Sequence, residues 1–205
     1  MLWIMFSLIF FWFFFKEWNS QLPTSNTYLA IMFVLGLVCA LPPIQHWRFE
    51  HLLTQIARKL AEGHPANVHC NTLFDTMFDE EIGISGHADP RTGYIVIQYP
   101  VCSTLMNYLK HPYRANKDEI ISLHILTHES MHARGEYNEA KTECEAIQRD
   151  QRTAKYLGVP DSIANQTAMD YYKNFYLKRT DSYFSKECAP GKNMDEHLSD
   201  AIWND

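Results

Sequence analysis

The apolar positions at the start of the chain form two continuous stretches rather than a periodic pattern. Residues 1–15 carry no charge and are rich in Phe, Trp, Ile and Leu, and a second apolar stretch runs from 28 to 44 after a polar loop. Each falls slightly short of the roughly 20 residues that cross a bilayer as a helix. Tryptophans can extend the effective length by anchoring at the membrane interfaces, and candidates are Trp3, Trp12, Trp18 and Trp47. The pattern predicts a membrane hairpin over residues 1–45. A cleaved signal peptide is disfavoured, because residues 1–15 lack a basic start and a small-residue cleavage site.

Helical periodicity replaces the continuous apolar pattern after the second stretch. Apolar residues recur at helical spacing among polar ones from Trp47 to Leu60. They predict an amphipathic linker helix over 46–62 that lies on the membrane surface or packs on the domain that follows. The sequence Glu62-Gly63-His64-Pro65 then indicates a break. Residues 63–205 are long enough for one compact domain with its own core.

Residues 63–205 combine one β-rich pattern with several helical ones. Runs at 82–87 and 94–99 flank the turn sequence Asp89-Pro90-Arg91-Thr92-Gly93 and predict a β-hairpin. Such a hairpin either aligns an extended substrate or only covers the core. Helices are predicted at 101–110, 118–133 and 138–148, and from a cap at Asp161 to about Arg179. The predicted fold class is α+β and mostly helical, preceded by a transmembrane hairpin.

The string His128-Glu129-Ser130-Met131-His132 carries the most specific chemistry in the chain. Histidines four residues apart share one face of a helix, so both can reach one metal ion while Glu129 lies beside the open coordination position. The alternative is that both histidines are partly buried helix residues with ordinary hydrogen bonds. His124 continues the stripe, but it lies about 12 Å along the axis from His132. It is therefore interpreted as a packing or surface residue.

The helix that follows offers two candidates for a third metal ligand, which a catalytic zinc site usually requires. Asn138 caps this helix, and the short turn before it predicts an antiparallel pair. With the turn centred near residue 136, the level between the motif histidines faces a point near residue 142, because both helices rise about 1.5 Å per residue. Glu143 is therefore the predicted third ligand. Glu139, one turn nearer the loop, is the second choice, either as ligand or as a partner that orients a histidine.

Residues 119–157 resemble the gluzincin class of zincin metallopeptidases, in which two motif histidines and a glutamate from a following helix bind zinc. The short interval between His132 and Glu143 is similar to that of the compact minimal gluzincins, including the antirepressor-cleaving peptidases of mobile elements. A small bacterial group with H-E-x-x-H before a Thr-Glu-Cys helix is also similar. The resemblance implies a zincin-like active helix and a following helix, Zn²⁺ as cofactor and a peptide or protein substrate.

The same resemblance implies a mechanism for peptide-bond hydrolysis. Zinc activates a water molecule, and Glu129 takes the proton of that water and passes it to the leaving amine. A donor must also stabilise the oxyanion, and the sequence leaves four candidates open: His87, Tyr94, Tyr137 and Tyr171. A different class of function fits the same residues. This is a non-catalytic membrane or envelope interaction protein whose cluster binds a metal structurally or is vestigial.

Charge and cysteine content bear on partners and compartment. A net charge of −6 without a long basic run argues against a nucleic-acid partner. Outside the apolar stretches lie four cysteines that could form two disulfides in three possible pairings: Cys70, Cys102, Cys144 and Cys188. Disulfides favour an extracytoplasmic domain, whereas basic residues after the hairpin (Arg48, Arg58 and Lys59) favour the cytoplasmic side. The interpretation leans to the extracytoplasmic side, with Cys102–Cys144 as the guessed pair, and leaves the oligomeric state open.

Overall fold

The computed structural model describes residues 2–20, 25–78 and 84–203. The chain divides into two compact units, Met1–Phe49 and Glu50–Asp205. In the first unit, helix α1 (Leu2–Trp18) packs against the beginning of helix α2 (Asn26–Leu60). The Ser7 hydroxyl donates a hydrogen bond to the carbonyl of Gly36 at 2.9 Å. A Cβ at Gly36 would lie 3.0 Å from the ring of Phe11. The two apolar stretches therefore form a closely packed helix pair.

Helix α2 is continuous from the apolar stretch into the second unit. The sequence pattern divides it at Pro42-Pro43 into an apolar segment and a linker helix, whereas the structure has one helix of 35 residues. Each proline removes one backbone donor without forcing the helix to end. By length and composition α2 is able to cross a membrane. The domain boundaries drawn at 45 and 62 remain predictions.

The second unit contains a small sheet and the remaining helices. The strands are β1 (Asn67–Cys70), β2 (Gly86–Asp89) and β3 (Tyr94–Ile97), and the helices are α3 (Leu73–Phe78), α4 (Tyr99–Lys110), α5 (Lys117–Ala133), α6 (Glu139–Ile147), α7 (Asp150–Tyr156) and α8 (Asp161–Asn174). Single turns of 3-10 helix occupy Pro112–Arg114 and Tyr176–Lys178. The fold is mostly helical, as predicted.

The sheet confirms the predicted hairpin and adds a strand that the sequence pattern does not reveal. Strands β2 and β3 pair antiparallel, and β1 pairs parallel with β3 on its other side, giving the order β1-β3-β2. Residues 82 and 83 of the predicted first run lie outside the described residues. Strand β1 is only four residues long and alternates polar with apolar side chains, so its pattern is too short to distinguish it from a loop.

Helix α5 lies at the centre of the unit and contacts α4, α6, α7, α8 and the sheet. Asn116 begins it with a capping box, in which its side chain accepts from the backbone of Asp118 and Glu119 while the Glu119 carboxylate accepts from the Asn116 backbone. The helix ends as predicted, because Gly135 adopts the left-handed conformation with φ of +108°. Asn138 then caps α6, as predicted.

Helix α8 is shorter than predicted. It ends at Asn174, and Phe175 is its C-terminal cap. Asp161 is its first helical residue rather than its cap. The chain then turns through the short 3-10 helix, so that Arg179 lies in an extended segment. After this turn, Arg179 lies 3.5 Å from Glu143 Oε1, and the ring of Tyr183 lies 5.6 Å from that of His128.

The two disulfides are Cys70–Cys102 and Cys144–Cys188, so the guessed Cys102–Cys144 pair is wrong. Their Cα atoms are 5.9 and 5.5 Å apart, within the range of bonded pairs. Cys144 lies on the buried face of α6, which packs against α8 and the C-terminal segment. Its core neighbours include Ile120, Ile147, Tyr171, Tyr176, Cys188 and Ile202. The disulfide therefore fixes the segment that carries Arg179 onto α6.

Removal of the second disulfide should destabilise the fold. The bond closes a loop of 44 residues in sequence, for which chain entropy gives a stabilisation of about 4 kcal/mol. We expect the double variant Cys144→Ala, Cys188→Ala of the full chain in detergent micelles to melt at a clearly lower temperature. Cys39→Ala, which changes the free cysteine in the first unit, is the control. An unchanged melting temperature in the double variant would contradict the role given to this disulfide.

Candidate metal centre

Three ligand atoms converge at the C-terminal end of α5. The Nε2 atoms of His128 and His132 lie 3.1 Å apart, and Glu139 Oε2 lies 3.2 Å from the first and 3.4 Å from the second. A tetrahedral ion with bonds of 2.0–2.1 Å holds its ligand atoms about 3.3 Å apart. The triangle of donors therefore has the dimensions of one face of a tetrahedral metal site. These residues could hold a metal ion.

The other nitrogen of each histidine ring is held by an acceptor. His128 Nδ1 lies 3.0 Å from Glu143 Oε2, and His132 Nδ1 lies 2.8 Å from the carbonyl oxygen of Glu136. A carbonyl and an ionised carboxylate can only accept, so both Nδ1 atoms carry the hydrogen. In the neutral rings, both Nε2 lone pairs then face the same point as the Glu139 carboxylate. Converging lone pairs of this kind are stabilised by a proton on His128 Nε2 that is shared with Glu139 or by a metal ion, and outer partners of this kind orient metal-binding histidines.

The two candidate glutamates lie on different sides of His128, and each belongs to a group that could hold a metal ion. The structure brings Glu139 to His128 and His132, whereas Glu143 lies on the opposite side of the His128 ring. Residues 136–138 between the two helices have no helical structure, and Asn138 is extended with φ of −85° and ψ of 116°. Extended residues advance about 3.3 Å each, compared with 1.5 Å in a helix, so a non-helical connection displaces the following helix relative to a symmetrical helical turn.

Behind His128 lies a buried hydrogen-bonded network that the sequence analysis did not identify. Glu143 Oε2 is 3.0 Å from His124 Nε2, and His124 Nδ1 is 2.8 Å from Asp150 Oδ2. Tyr171 donates to Glu143 Oε1 at 2.7 Å and its ring stacks on His124 with centroids 3.6 Å apart. The network connects α5, α6, α7 and α8 through the carboxylate of Glu143 and the ring of His124.

His124 is thus neither a surface residue nor simple packing. It is buried, and with His128 and Glu143 it forms a second cluster that could hold a metal ion. The four-residue spacing of His124, His128 and His132 indicates that all three share one face of α5. The distance between His124 and His132 excludes one shared metal ion, but it does not exclude a hydrogen-bonding role for His124 behind His128.

Glu129 lies at the wall of a cleft of about 640 Å³ that runs along α5. Strand β2 forms the opposite wall and approaches α5 closely at Gly86. A Cβ at Gly86 would lie 3.4 Å from Glu129 Cγ, 3.3 Å from Ile125 and 3.1 Å from the Val96 carbonyl. A glycine at this position therefore lets the edge strand pack directly beside Glu129.

The four candidates for the oxyanion donor have different positions. His87 and Tyr137 line the cleft, and Tyr94 is not among its lining residues. Tyr171 also lines the cleft, but its hydroxyl donates to Glu143. A fifth aromatic residue, which no sequence pattern indicated, lines the same cleft and lies beside His128.

That residue is Tyr183, whose ring centroid lies 5.6 Å from that of His128. Arg179 covers its face at 4.5 Å, and Asp181 binds the Arg179 guanidinium through both oxygens at 3.0 Å. Asp181 also accepts from the Tyr183 backbone at 3.1 Å. These contacts hold the phenol at the edge of the site. Its segment lacks periodicity, so no sequence pattern indicated it.

No family model matches the chain, and no curated protein or solved structure matches it. The chemistry of the site is therefore argued from its own geometry.

The buried network contains a histidine whose pKa is strongly raised. Burial alone would lower the pKa of His124, but the carboxylates of Asp150 and Glu143 outweigh it and raise that pKa from 6.5 to about 10. Burial would also raise the pKa of Glu143, yet the charge and hydrogen bonds of His124 and His128 lower it below its usual range. Hydrogen bonding to His128 lowers the pKa of Glu139. Both glutamates are therefore ionised at neutral pH.

The raised pKa of His124 predicts a loss of stability at alkaline pH. A group that binds its proton more tightly in the folded state stabilises the fold fully below its unfolded pKa, and that contribution disappears as pH rises towards the folded pKa. We expect the melting temperature of the metal-free chain in detergent micelles to fall between about pH 6.5 and pH 10.

The matched variant for this prediction is His124→Asn. It removes the titrating group, so its melting temperature should be lower at neutral pH but should depend less on pH over the same interval. An equally steep decline in both proteins would show that His124 is not the group responsible.

Proposed function

We propose that the protein is a membrane-anchored, zinc-dependent metallopeptidase. The observation that carries the proposal is the convergence of two Nε2 atoms and one carboxylate oxygen, with both Nδ1 atoms held by acceptors. Two nitrogens and one oxygen are a donor set that suits zinc. Three protein ligands leave a fourth position for water, as catalytic zinc sites do.

The ligands in this proposal are His128, His132 and Glu139. Glu143 orients His128 from behind and does not bind the metal itself. Zinc held by such a set lowers the pKa of a bound water to about 7 and polarises a carbonyl group.

Glu129 serves as the general base in the proposed reaction. It follows His128 directly on α5, beside the ligand triangle, and lines the cleft in which a scissile bond would lie. Its carboxylate accepts a proton from the attacking water and passes it to the leaving amine. We assign the oxyanion donor to Tyr183, because its ring lies beside His128, packed against Arg179.

An extended peptide segment is the substrate that fits the cleft. β2 is one of the two edge strands of the described sheet and borders the cleft beside Glu129. An edge strand can pair with an extended chain through main-chain hydrogen bonds. Such pairing would hold a peptide bond between β2 and the metal ligands.

The proposed location is a membrane, with the catalytic unit on its extracytoplasmic side. Helix α2 has the length and composition to cross a bilayer. Two disulfides within Glu50–Asp205 suit an oxidising compartment. The alternative of a non-catalytic interaction protein predicts a site closed by a fourth protein ligand. Among the described residues, each metal-binding cluster has three.

Zinc binding and turnover should separate in a variant of Glu129. We expect the full chain in detergent micelles to bind one zinc ion, measured by elemental mass spectrometry, and His132→Ala to lose it. Glu129→Gln should retain zinc but cleave peptides about 10²- to 10⁴-fold more slowly, since it lacks the general base. Cleavage would be followed by mass spectrometry on a diverse peptide library. Retained turnover in Glu129→Gln would refute the proposed base, and absence of zinc in the folded chain would refute the metal centre.

The two glutamates of α6 should differ in their effect on zinc affinity. Glu139→Gln removes a ligand, and we expect zinc to bind more than 100-fold more weakly. Glu143→Gln removes an orienting group, for which a loss of roughly 10- to 100-fold is expected. Both substitutions have the same size and charge change, so each is the control for the other. A larger loss in Glu143→Gln, in protein whose melting transition is intact, would return the ligand role to Glu143.

A further inference from the structure

The hydrogen bonds of β3 determine which backbone groups of β2 lie outside the sheet. The carbonyl of Ile97, the last residue of β3, accepts from the backbone of Asn71 at 2.9 Å and therefore faces β1. The next residue, Gln98, donates its backbone N–H to the carbonyl of Ser85 at 3.1 Å and therefore faces β2. Successive residues of a strand direct their backbone groups to opposite edges, so Val96 also faces β2.

Gly86 and Ala88 consequently direct their backbone groups to the other edge of β2. His87 lies opposite Val96 in the antiparallel pair, so His87 faces β3 and its two neighbours face away from it. Strand β2 is the last in the strand order, so no strand of the described sheet covers this second edge. Gly86 and Ala88 both line the cleft, and Glu129 Cγ lies 3.4 Å from the position of a Cβ on Gly86. A segment paired with them would therefore lie beside the proposed general base.

Positive charge in the cleft is already paired with carboxylates of the protein. Arg179 is the only lysine or arginine among the described residues that line the cleft. Its Nε and Nη2 donate to the two oxygens of Asp181 at 3.0 Å, and its Nη1 lies 3.5 Å from Glu143 Oε1. A substrate carboxylate bound here would be the third negative group around one guanidinium, and the negative groups would repel one another. Arg179 therefore does not provide a site for the C-terminal carboxylate of a peptide.

The carboxylates of the cleft have other partners or roles. The described lining contains three of them: Glu129, Glu139 and Glu143. Glu143 is 1% exposed and accepts from Tyr171 and two histidines, and Glu139 lies within 3.4 Å of both motif histidines. Glu129 is the proposed general base, so a terminal ammonium bound to it would block the reaction. None of the three provides a site for the N-terminal amine of a peptide.

We infer that the protein cleaves internal bonds of extended polypeptide segments, which it binds through main-chain hydrogen bonds to Gly86 and Ala88. The inference rests on the proposed peptidase function and deepens it by naming the substrate class. Each of the two residues presents an N–H donor and a C=O acceptor, which match the main chain of any sequence. The paired segment has to be extended over several residues, so the expected substrates are loops and unfolded segments of proteins. The protein is then an endopeptidase that does not require a charged terminus.

Blocking the ends of a peptide tests whether termini are recognised. A library peptide that the zinc-loaded full chain cleaves in detergent micelles is compared with its N-acetylated, C-amidated form. We expect the two values of kcat/KM to agree within about 2-fold, whereas a site built for a charged terminus would reject the blocked form by about 100-fold or more. Cleavage of unblocked peptides alone, or of terminal bonds alone, would overturn the inference and leave the peptidase intact. If the zinc-loaded chain cleaves no peptide of the library, the proposed function and the inference both fail.

N-methylation of the substrate tests the main-chain pairing. Each amide of the blocked peptide except the scissile one is methylated in turn, which removes one N–H donor. Because alternate residues of a paired segment face β2, we expect kcat/KM to fall about 10-fold at every second position near the scissile bond and much less at the positions between. Losses without this alternation, or no losses, would overturn the pairing.

The corresponding change in the protein is Ala88→Pro. Proline lacks the N–H that Ala88 directs to the cleft, and an edge strand tolerates it where that N–H takes no part in the sheet. We expect zinc content and melting temperature to be retained and kcat/KM to fall about 3- to 10-fold, mainly through KM. The matched variant His87→Pro removes an N–H inside the sheet and should lower the melting temperature. An equal loss of melting temperature in Ala88→Pro, or an unchanged kcat/KM in the folded, zinc-loaded variant, would overturn the inference.

Discussion

The carboxylate of Glu143 is the group around which the second unit is arranged. It is 1% exposed and accepts hydrogen bonds from His124, His128 and Tyr171. An ionised carboxylate without such partners would carry a desolvation penalty of several kcal/mol. Its burial therefore requires α5, α6 and α8 to pack at defined distances and in defined orientations. The same arrangement sets the His128 ring in the orientation that directs Nε2 to the metal-binding triangle.

Other parts of the unit hold this arrangement in place. Cys144 follows Glu143 directly and connects α6 to the C-terminal segment through Cys188. Arg149 is almost fully buried, and its guanidinium pairs with Glu62 at 3.2 Å and with Glu196. These links join the end of α2, the α6–α7 region and the C-terminal segment. Removal of either partner would leave the buried charge of Arg149 uncompensated and would destabilise the fold. The ion pairs of Arg149 therefore help to fix the positions of α6 and α7 relative to α5.

The cluster has a rigid interior and an accessible mouth. His124, Glu143 and Asp150 are excluded from solvent, whereas the side chain of Glu139 is 41% exposed at the cleft. The candidate metal centre is therefore buried on the side of this network and open on the side of the cleft. Because Gly86 has no side chain, β2 passes directly beside Glu129 at this opening. The proposed peptide substrate would lie in the cleft between β2 and α5.

Much of the local structure could be predicted from the sequence, because it depends on neighbouring residues. Helical spacing placed His128, Glu129 and His132 on one helix. Gly135 ended that helix and Asn138 began the next, through backbone conformation and capping that act over a few residues. The Asp89–Gly93 turn likewise specified the hairpin. The apolar stretches indicated the paired helices α1 and α2, although the two prolines did not end α2 where the pattern suggested.

Only the tertiary structure decided on which side of His128 each of Glu139 and Glu143 lies, the partners of His124, the position of Tyr183 and the pairing of the cysteines. Each depends on contacts between different segments of the chain. The connection between α5 and α6 is not helical, so the level at which each glutamate faces α5 does not follow from helical rise alone. Periodicity determines which residues share a face of one helix. How far two helices are displaced along each other is set by the packing and buried polar contacts of the whole unit, and no short-range pattern encodes it.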